Sequence, residues 1–117
     1  MVFNVIARNC DDRTKNFSFI LNQGGEWELA PAYDVCHAYR PGSEWVSEHA
    51  LSTKGKRKGI TKADLLAIGE SIRCKKASEI IDEINGKVNH WKRFADEANV
   101  KPTLRDAIDK TLLNLNE

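Results

Sequence analysis

The chain has little of what marks several large classes of protein. It holds three cysteines in 117 residues, at wide and irregular spacing. That pattern argues against a disulfide scaffold and a cysteine zinc site, and it predicts a reducing, cytoplasmic location. No apolar run approaches the ~20 residues of a transmembrane helix, which predicts no membrane association. The first eight residues lack the basic start and long apolar segment of a signal peptide.

An excess of charge of one sign is absent too. Eighteen Lys and Arg against seventeen Asp and Glu leave a net charge of +1. Whole-molecule charge therefore gives no case for nucleic-acid binding, and any electrostatic claim depends on a local patch. One such patch is the basic run, residues 54–62, in which five of nine residues are basic and none is acidic. It is either a solvated surface turn, the commoner case, or a contact for nucleic-acid phosphates.

What is present is typical of one globular domain, with 41% hydrophobic and 30% charged residues. We predict an α+β fold that is mainly helical and a single domain over 1–117. Residues 1–60 should hold a short helix end, a polar loop and a β-hairpin. Residues 61–117 should hold three helices.

The hairpin prediction comes from alternating apolar and polar residues in 17–21 and 26–29. The segment Asn-Gln-Gly-Gly between them is typical of a turn. The three tryptophans, Trp27, Trp45 and Trp91, are predicted to anchor the core wholly or in part.

The three helices are predicted from caps and periodicity. Thr61 with Asp64 has the pattern of a capping box that begins the first helix. Apolar residues then recur at steps of three and four over 77–98, which predicts one long helix. Thr103 with Asp106 is predicted to cap the third.

The most informative segment is the polar loop, residues 9–16, which lies between two apolar segments. Asp11 and Asn16 are five residues apart, and Asp34 follows Asn16 by eighteen, across the predicted hairpin. Phosphoryl transfer needs a carboxylate for the attacking hydroxyl and hard oxygen ligands for Mg²⁺. The kinase catalytic loop has the same Asp-to-Asn spacing. An ordinary polar turn entering a hairpin uses the same residue types, so the spacing alone leaves both interpretations open.

Longer motifs in the chain resemble one family. Residues 9–19, Asn-Cys-Asp-Asp-Arg-Thr-Lys-Asn-Phe-Ser-Phe, and 29–35, Leu-Ala-Pro-Ala-Tyr-Asp-Val, resemble the Asp-x-His-x-Lys-Asn loop and the Pro-x-Tyr-Asp segment of HipA-type serine/threonine kinases. The resemblance also takes in 51–57, the helix start after Thr61 and the helix with Trp91. It covers essentially the whole chain and implies the C-terminal lobe of a protein-kinase-like fold.

The resemblance implies roles for four residues. Asp11 matches the catalytic aspartate. Asn16 and Asp34 match the magnesium ligands that bind the nucleotide. Lys15 matches the family lysine, and we expect its charge to assist catalysis and nucleotide binding by offsetting charge on the transferring phosphoryl group.

One residue departs from the family pattern, because Arg13 stands where the family has histidine. Arginine is permanently charged and cannot act as a neutral donor and acceptor. Arg13 either braces the loop by pairing with Asp12 or a phosphate, or marks a decayed site.

The function implied for the complete enzyme is transfer of the γ-phosphoryl group of Mg-ATP to a protein serine. The implied partners are an antitoxin of the HipB type and a substrate such as an aminoacyl-tRNA synthetase, with DNA reached only through the antitoxin. These 117 residues contain no glycine-rich phosphate loop and no nucleotide-clamping lysine on a strand. We therefore expect the ATP-binding N-terminal lobe to be missing and the chain to be inactive alone, with Mg²⁺ its only ligand.

Two alternatives stay open. The chain is a non-catalytic interaction module that binds an antitoxin or a separate N-lobe chain through an exposed apolar face. The other alternative is a helical nucleic-acid binder that uses the basic run and shows salt-sensitive binding.

Overall fold

A computed structural model of the chain describes residues 1–115. These residues form a small α+β domain in which helices predominate, as predicted. The elements in chain order are α1 Val2–Ile6, a 3₁₀ turn Thr14–Asn16, β1 Phe19–Leu21, β2 Trp27–Leu29, α2 Lys62–Ser71, α3 Ala77–Val88, α4 Trp91–Glu97 and α5 Pro102–Asp109.

The β-hairpin forms where the alternating pattern places it. β1 and β2 pair antiparallel, with Phe19 opposite Leu29 and Leu21 opposite Trp27. In the turn, Gly25 adopts a φ of 79°, a left-handed conformation that glycine takes without steric cost. The strands are shorter than the predicted segments, and every residue in them is exposed.

The long helix predicted over 77–98 is wrong, because the chain makes two helices there. The amide of His90 donates to the carbonyl of Lys87 at 3.1 Å, a tighter turn than the α-helical step. This turn redirects the chain, so that α3 packs on α1 and α2 while α4 packs on α5.

Of the two predicted helix caps, one is confirmed and one is wrong. At α2 the Asp64 amide donates to Thr61 Oγ1 at 3.3 Å, and the Thr61 amide donates to Asp64 Oδ2 at 2.9 Å. This is the predicted capping box. At α5 the helix begins at Pro102 with Lys101 in the cap position. Proline suits a first turn because the missing N–H has no helical partner there. Thr103 therefore lies inside the helix.

The core lies where α1 and α2 pack against α3. Its buried members are Val5, Ile60, Leu65 and Ile81, with partly buried hydrophobic residues packed around them, namely Val2, Leu66, Leu113 and Leu115. The Leu113 amide also donates to the carbonyl of Ile6 at 3.0 Å. This contact ties the segment after α5 to α1, and α1 leads directly into the polar loop. The division of the chain at residue 60 stays a prediction.

Two of the three predicted tryptophan anchors are wrong. Trp27 is 70% exposed and Trp45 is 71% exposed. Trp91 is half-buried, and its indole Nε1 donates to the carbonyl of Arg105 at 2.9 Å. Within residues 1–115, no helix is long and apolar enough to cross a bilayer.

Candidate functional site

The polar loop leaves α1 and is fixed at its start by backbone bonds to two distant segments. The Cys10 amide donates to the carbonyl of Ala38 at 2.9 Å, and the Ala38 amide donates to the carbonyl of Arg8 at 3.0 Å. The Ala50 amide donates to the carbonyl of Cys10 at 3.0 Å. The loop therefore starts from a rigid base, although it is not part of a sheet.

Asp12 anchors the middle of the loop. Its side chain is buried, and Oδ1 accepts from the backbone amides of Ala50 at 2.8 Å and Leu51 at 3.3 Å. Oδ2 accepts from Nδ1 of the buried His49 at 3.1 Å. Both oxygens of Asp12 thus accept hydrogen bonds from residues 49–51, so this carboxylate positions the loop. No local pattern in the sequence links Asp12 to His49, so this role of Asp12 was not predicted.

Arg13 pairs with Asp11 and not with Asp12, one of the two groups expected for it. Its Nε donates to Asp11 Oδ1 at 2.9 Å, and both side chains are substantially exposed. A surface pair of this kind is worth about 0–1 kcal/mol. Asp12 has other partners, so Arg13 braces the neighbouring aspartate and not Asp12.

Asn16 ends the 3₁₀ turn and folds its side chain back on the loop. The amide nitrogen Nδ2 donates to the carbonyl of Asp11 at 3.0 Å. This bond closes the loop between the two residues that are five apart. It also fixes which end of the amide is engaged, so Oδ1 is the end that can bind a cation.

The segment after the hairpin is held against the loop by Tyr33. Its hydroxyl donates to the carbonyl of Lys15 at 2.7 Å. Because that bond uses the only hydroxyl hydrogen of Tyr33, Ser18 Oγ is the donor in the 2.7 Å bond between Ser18 and Tyr33. Tyr33 therefore links the loop, the start of the hairpin and the segment that carries Asp34. Tyr33 belonged to the motif that carried the resemblance, but no role was predicted for it.

Asp34 follows in an unusual backbone conformation, with a φ of 53°. This left-handed region is uncommon for residues with a side chain, although aspartate and asparagine enter it more readily than most. Such conformations persist where surrounding structure holds them, and they cluster at binding and active sites.

Asn16 and Asp34 line one cavity of about 630 Å³ between the loop and the post-hairpin segment. Asn9 and Asp12 line it as well, together with apolar residues that include Phe3 and Leu29. Asp11 is not in the lining, although its backbone carbonyl contacts Asn16.

Lys15 is likewise not in the lining, and its side chain is exposed. The structure thus joins the two predicted metal ligands in one cavity and leaves Asp11 and Lys15 outside its walls. The functional roles of all four stay predictions.

The side-chain oxygens of Asn16 and Asp34 are of the kind that a hard cation binds. Mg²⁺ commonly takes one or two carboxylates from protein and completes its six ligands with phosphates and water. Within the described part of the chain, no group of three or more His, Cys, Asp or Glu side chains is placed to hold a metal. Asn16 and Asp34 offer oxygen ligands of the kind that Mg²⁺ takes alongside phosphate, and the cation site itself stays a prediction.

Cys10 adjoins Asp11 but plays a packing role. Its side chain is fully buried, and burial raises the pKa of the thiol to about 11. A thiol this weakly acidic is protonated at neutral pH and is a poor nucleophile.

The basic run is largely engaged in ion pairs. Lys56 pairs with Asp64 at 2.9 Å, Arg57 with Glu48 at 2.9 Å and Lys62 with Asp82 at 2.6 Å. Three of its five cations are therefore paired within the chain. This use favours the surface-turn interpretation over a nucleic-acid contact.

No curated protein and no solved structure matches the chain. The family model described as the HipA-like C-terminal domain matches residues 1–115. This match contains the polar loop, the hairpin, Asp34 and all the helices, and it confirms the resemblance found in the motifs. The chain belongs to the HipA-like C-terminal domain family.

Proposed function

We propose that the chain is the C-terminal lobe of a HipA-type serine/threonine kinase and supplies the side of the active site that binds Mg²⁺ and the nucleotide phosphates. The observation that carries the proposal is that Asn16 and Asp34 line one cavity, although seventeen residues, among them the hairpin, lie between them. Family membership supports it, because the match contains both residues.

Asn16 Oδ1 and the Asp34 carboxylate hold the cation in this proposal. A bound Mg²⁺ neutralises phosphate charge and orients the γ-phosphoryl group. The bond from Asn16 Nδ2 to the Asp11 carbonyl keeps Oδ1 turned away from the loop backbone. Tyr33 holds the segment that carries Asp34 against the loop, which helps to keep the two ligands on one cavity wall.

Asp11 orients the serine hydroxyl of the substrate and accepts its proton. Arg13 occupies Asp11 Oδ1, which leaves Oδ2 for the hydroxyl. Because Asp11 lies outside the cavity lining and its side chain is 42% exposed, a protein substrate can reach it from solvent. The exposed cation of Lys15 offsets phosphoryl charge from the same side.

These 117 residues alone hold ATP from one side only, since they contain no glycine-rich phosphate loop. We therefore expect cation binding without efficient phosphorylation. The polypeptide is incubated with Mg-ATP and a serine substrate, and phosphate incorporation is compared with Asp11→Ala. Turnover well above background that disappears in Asp11→Ala would contradict the inactive-alone expectation.

The cation site has its own test, which uses Mn²⁺ as the probe. Free Mn²⁺ is measured by electron paramagnetic resonance in the wild type, Asp34→Asn and the control Glu79→Gln. Glu79 is an exposed acid on α3, away from the cavity. We expect the Asp34 variant to lose binding and the control to keep it. Equal binding in all three proteins would contradict the proposed site.

The exposed hairpin favours a second candidate, an interaction module. The register puts Phe19, Leu21, Trp27 and Leu29 on one face of the hairpin, and all four are more than half exposed. Exposed apolar patches of this kind mark interfaces. The proposed partner is an antitoxin of the HipB type or a separate N-lobe chain.

The interface is tested by sedimentation with and without a supplied N-lobe chain, in the wild type and in Trp27→Ser. A complex that the variant weakens supports the module. A strict monomer that ignores the N-lobe chain argues against it.

The remaining partners are proposals that come from family membership. The substrate is a protein such as an aminoacyl-tRNA synthetase, and DNA is reached through the antitoxin. Since three cations of the basic run are already paired within the chain, we expect weak direct DNA binding even at low salt. Tight, steeply salt-dependent binding would favour the nucleic-acid alternative.

A further inference from the structure

A second cavity, which we call the side pocket, lies next to the larger cavity that Asn16 and Asp34 line. It has a volume of about 280 Å³ and is formed by α1, residues 35–37, the end of α3, α4 and residue 112. Its lining is mostly apolar and includes Val88, Trp91 and Phe94. An apolar cavity of about 150 Å³ is large enough to bind benzene. The side pocket therefore has room for one aromatic side chain.

Exposed hydrophobic residues connect the hairpin with the side pocket. Leu29, at the base of the hairpin, lines the larger cavity together with Phe3 and Val35. Phe3 and Val35 also line the side pocket. Together these residues form one surface, the apolar strip, whose members are each 41–70% exposed: Phe19, Leu21, Trp27, Leu29, Phe3, Val35 and Phe94.

The two ends of the apolar strip have complementary shapes. Trp27 pairs with Leu21 at the turn end of the hairpin, and its side chain is 70% exposed. At the other end, beside Phe94, the strip opens into the side pocket. An aromatic side chain that fills a pocket is typical of the centre of a protein interface. A surface with such a side chain at one end and a pocket at the other is complementary to a second copy of itself.

The area of the apolar strip is large enough for an interface. An aromatic side chain buries about 150–250 Å² when it is covered, so the exposed fractions of the four aromatic residues amount to roughly 300–550 Å² per copy. The three aliphatic residues add to this area. The largest apolar patch on a typical monomer is about 300–600 Å². An interface of standard size buries about 800 Å² on each partner, and the strip supplies much of that area.

The charges of the chain also favour a second copy as the partner. The net charge is +1, so two copies repel each other little. Glu26 directly precedes Trp27, and Lys87 lines the side pocket. Both are exposed, and neither forms an ion pair within residues 1–115. A contact that brings Trp27 of one copy to the side pocket of another also brings these opposite charges together.

We propose that the apolar strip is the interface of a twofold dimer, in which Trp27 of each copy enters the side pocket of the other. The twofold axis passes through the middle of the strip, beside Leu29 and Phe3, so the contact closes with two copies. The second candidate function assigns the same hairpin face to another chain, and a copy of this chain covers the face when that partner is absent. The inference does not rest on the cation site.

The first experiment is sedimentation of the full chain over a range of concentrations, without metal. The variant is Trp27→Ser and the matched control is Trp45→Ser, because Trp45 is 71% exposed and lines neither the larger cavity nor the side pocket. We expect a monomer–dimer equilibrium in the wild type. Trp27→Ser should weaken the dimer by about tenfold or more, because a central aromatic residue is lost twice in a twofold contact. Trp45→Ser should leave it unchanged.

A mixing experiment tests whether the hairpin of one copy meets the pocket of the other. Cys36 is exposed and lines the side pocket, so Cys36→Glu places a carboxylate there. Each variant alone should be largely monomeric. When Trp27→Ser and Cys36→Glu are mixed, the intact hairpin of one fits the intact pocket of the other, and dimers of one copy of each should return. An amide proton spectrum checks each fold, and Phe94→Ser replaces Cys36→Glu if that variant does not fold.

Several results would overturn the inference. One is a wild type that stays monomeric up to about 1 mM. Another is an equal loss in Trp27→Ser and Trp45→Ser, or growth beyond the dimer. If both interface variants are monomeric and their mixture forms no dimer, the hairpins contact each other and not the pockets. None of these results touches the cation site, which Mn²⁺ binding in Asp34→Asn tests separately.

Discussion

Apolar residues are exposed in the hairpin and buried in the helical core. β1 and β2 expose every residue, including Trp27 at 70% exposure. Around α1, α2 and α3, Val5, Leu65 and Ile81 are almost completely buried. A two-stranded hairpin is marginal by itself in water. The difference indicates that the core holds the domain together, while the hairpin presents an apolar surface beside the cavity.

The largest expected effect tests the core against the hairpin directly. Leu65→Ala removes a side chain that is 1% exposed, and Leu29→Ala removes one that is 63% exposed. The first should lower the free energy of unfolding by about 2–5 kcal/mol through lost burial and a cavity. The second should change it by about 0.5 kcal/mol or less. Urea denaturation measures both, and equal losses would break the comparison.

A smaller effect is expected at the loop, where buried and exposed aspartates are neighbours. Asp12→Ala leaves the buried donors of His49 and the Ala50 amide without an acceptor. It should cost about 1–3 kcal/mol for each group left unpaired. The matched control Arg13→Ala breaks only the exposed pair with Asp11 and should cost about 1 kcal/mol or less.

Hydrogen exchange measures the same change locally. The amides of Ala50 and Leu51 should exchange faster in Asp12→Ala and not in Arg13→Ala. Unchanged protection of both amides in Asp12→Ala would contradict the anchoring role.

The helix caps provide a matched pair of substitutions with a still smaller expected effect on stability. Thr61→Ala removes the side chain that accepts from the Asp64 amide and should cost about 1 kcal/mol. Thr103 lies inside α5. Thr103→Ala should therefore cost less or even stabilise the fold, since alanine has the higher helix propensity. Thermal unfolding compares the two, and a larger loss in Thr103→Ala would show that Thr103 is the cap after all.

The smallest effect concerns pH and His37. Its Nε2 lies 2.7 Å from Thr111 Oγ1, and burial together with the nearby Arg8 charge lowers the pKa of this histidine below 6.5. The unfolded chain therefore takes up a proton at a higher pH than the folded chain does. The contribution of His37 to the free energy of unfolding is full above pH 6.5 and declines as the pH falls through the folded and unfolded pKa values of this histidine.

The measurement is chemical denaturation between pH 7 and about pH 5. His37→Gln keeps a donor for Thr111 and should flatten the decline. Exposed His90 provides the control, since His90→Gln should leave the decline unchanged. A steeper decline in His37→Gln would reverse the assignment.

Features with a local cause could be predicted from the sequence. The capping box at Thr61 spans three residues, and the hairpin follows from alternation around a glycine turn. The helix break at His90 could not be predicted, because apolar residues continue at helical spacing across it. Asp12 and His49 are also beyond local patterns, since distant segments bring them together. Trp27 and Trp45 show the same limit, since residue type does not reveal whether a partner surface covers a side chain.

The site residues show the same contrast between what a local motif predicts and what only the fold reveals. Asn16 and Asp34 came from a motif, and the fold places both in one cavity. Asn9 belongs to the same motif segment, but no role was predicted for it, and the structure places it in the lining of that cavity.

The bond from the Leu113 amide to the Ile6 carbonyl joins residues from nearly opposite ends of the chain. Contacts between residues so distant in sequence form late, because the chain between them must first be brought into place. During synthesis, α1 and the polar loop leave the ribosome long before Leu113 does. The loop that carries Asp11 and Asn16 therefore gains this support only after Leu113 has been synthesised.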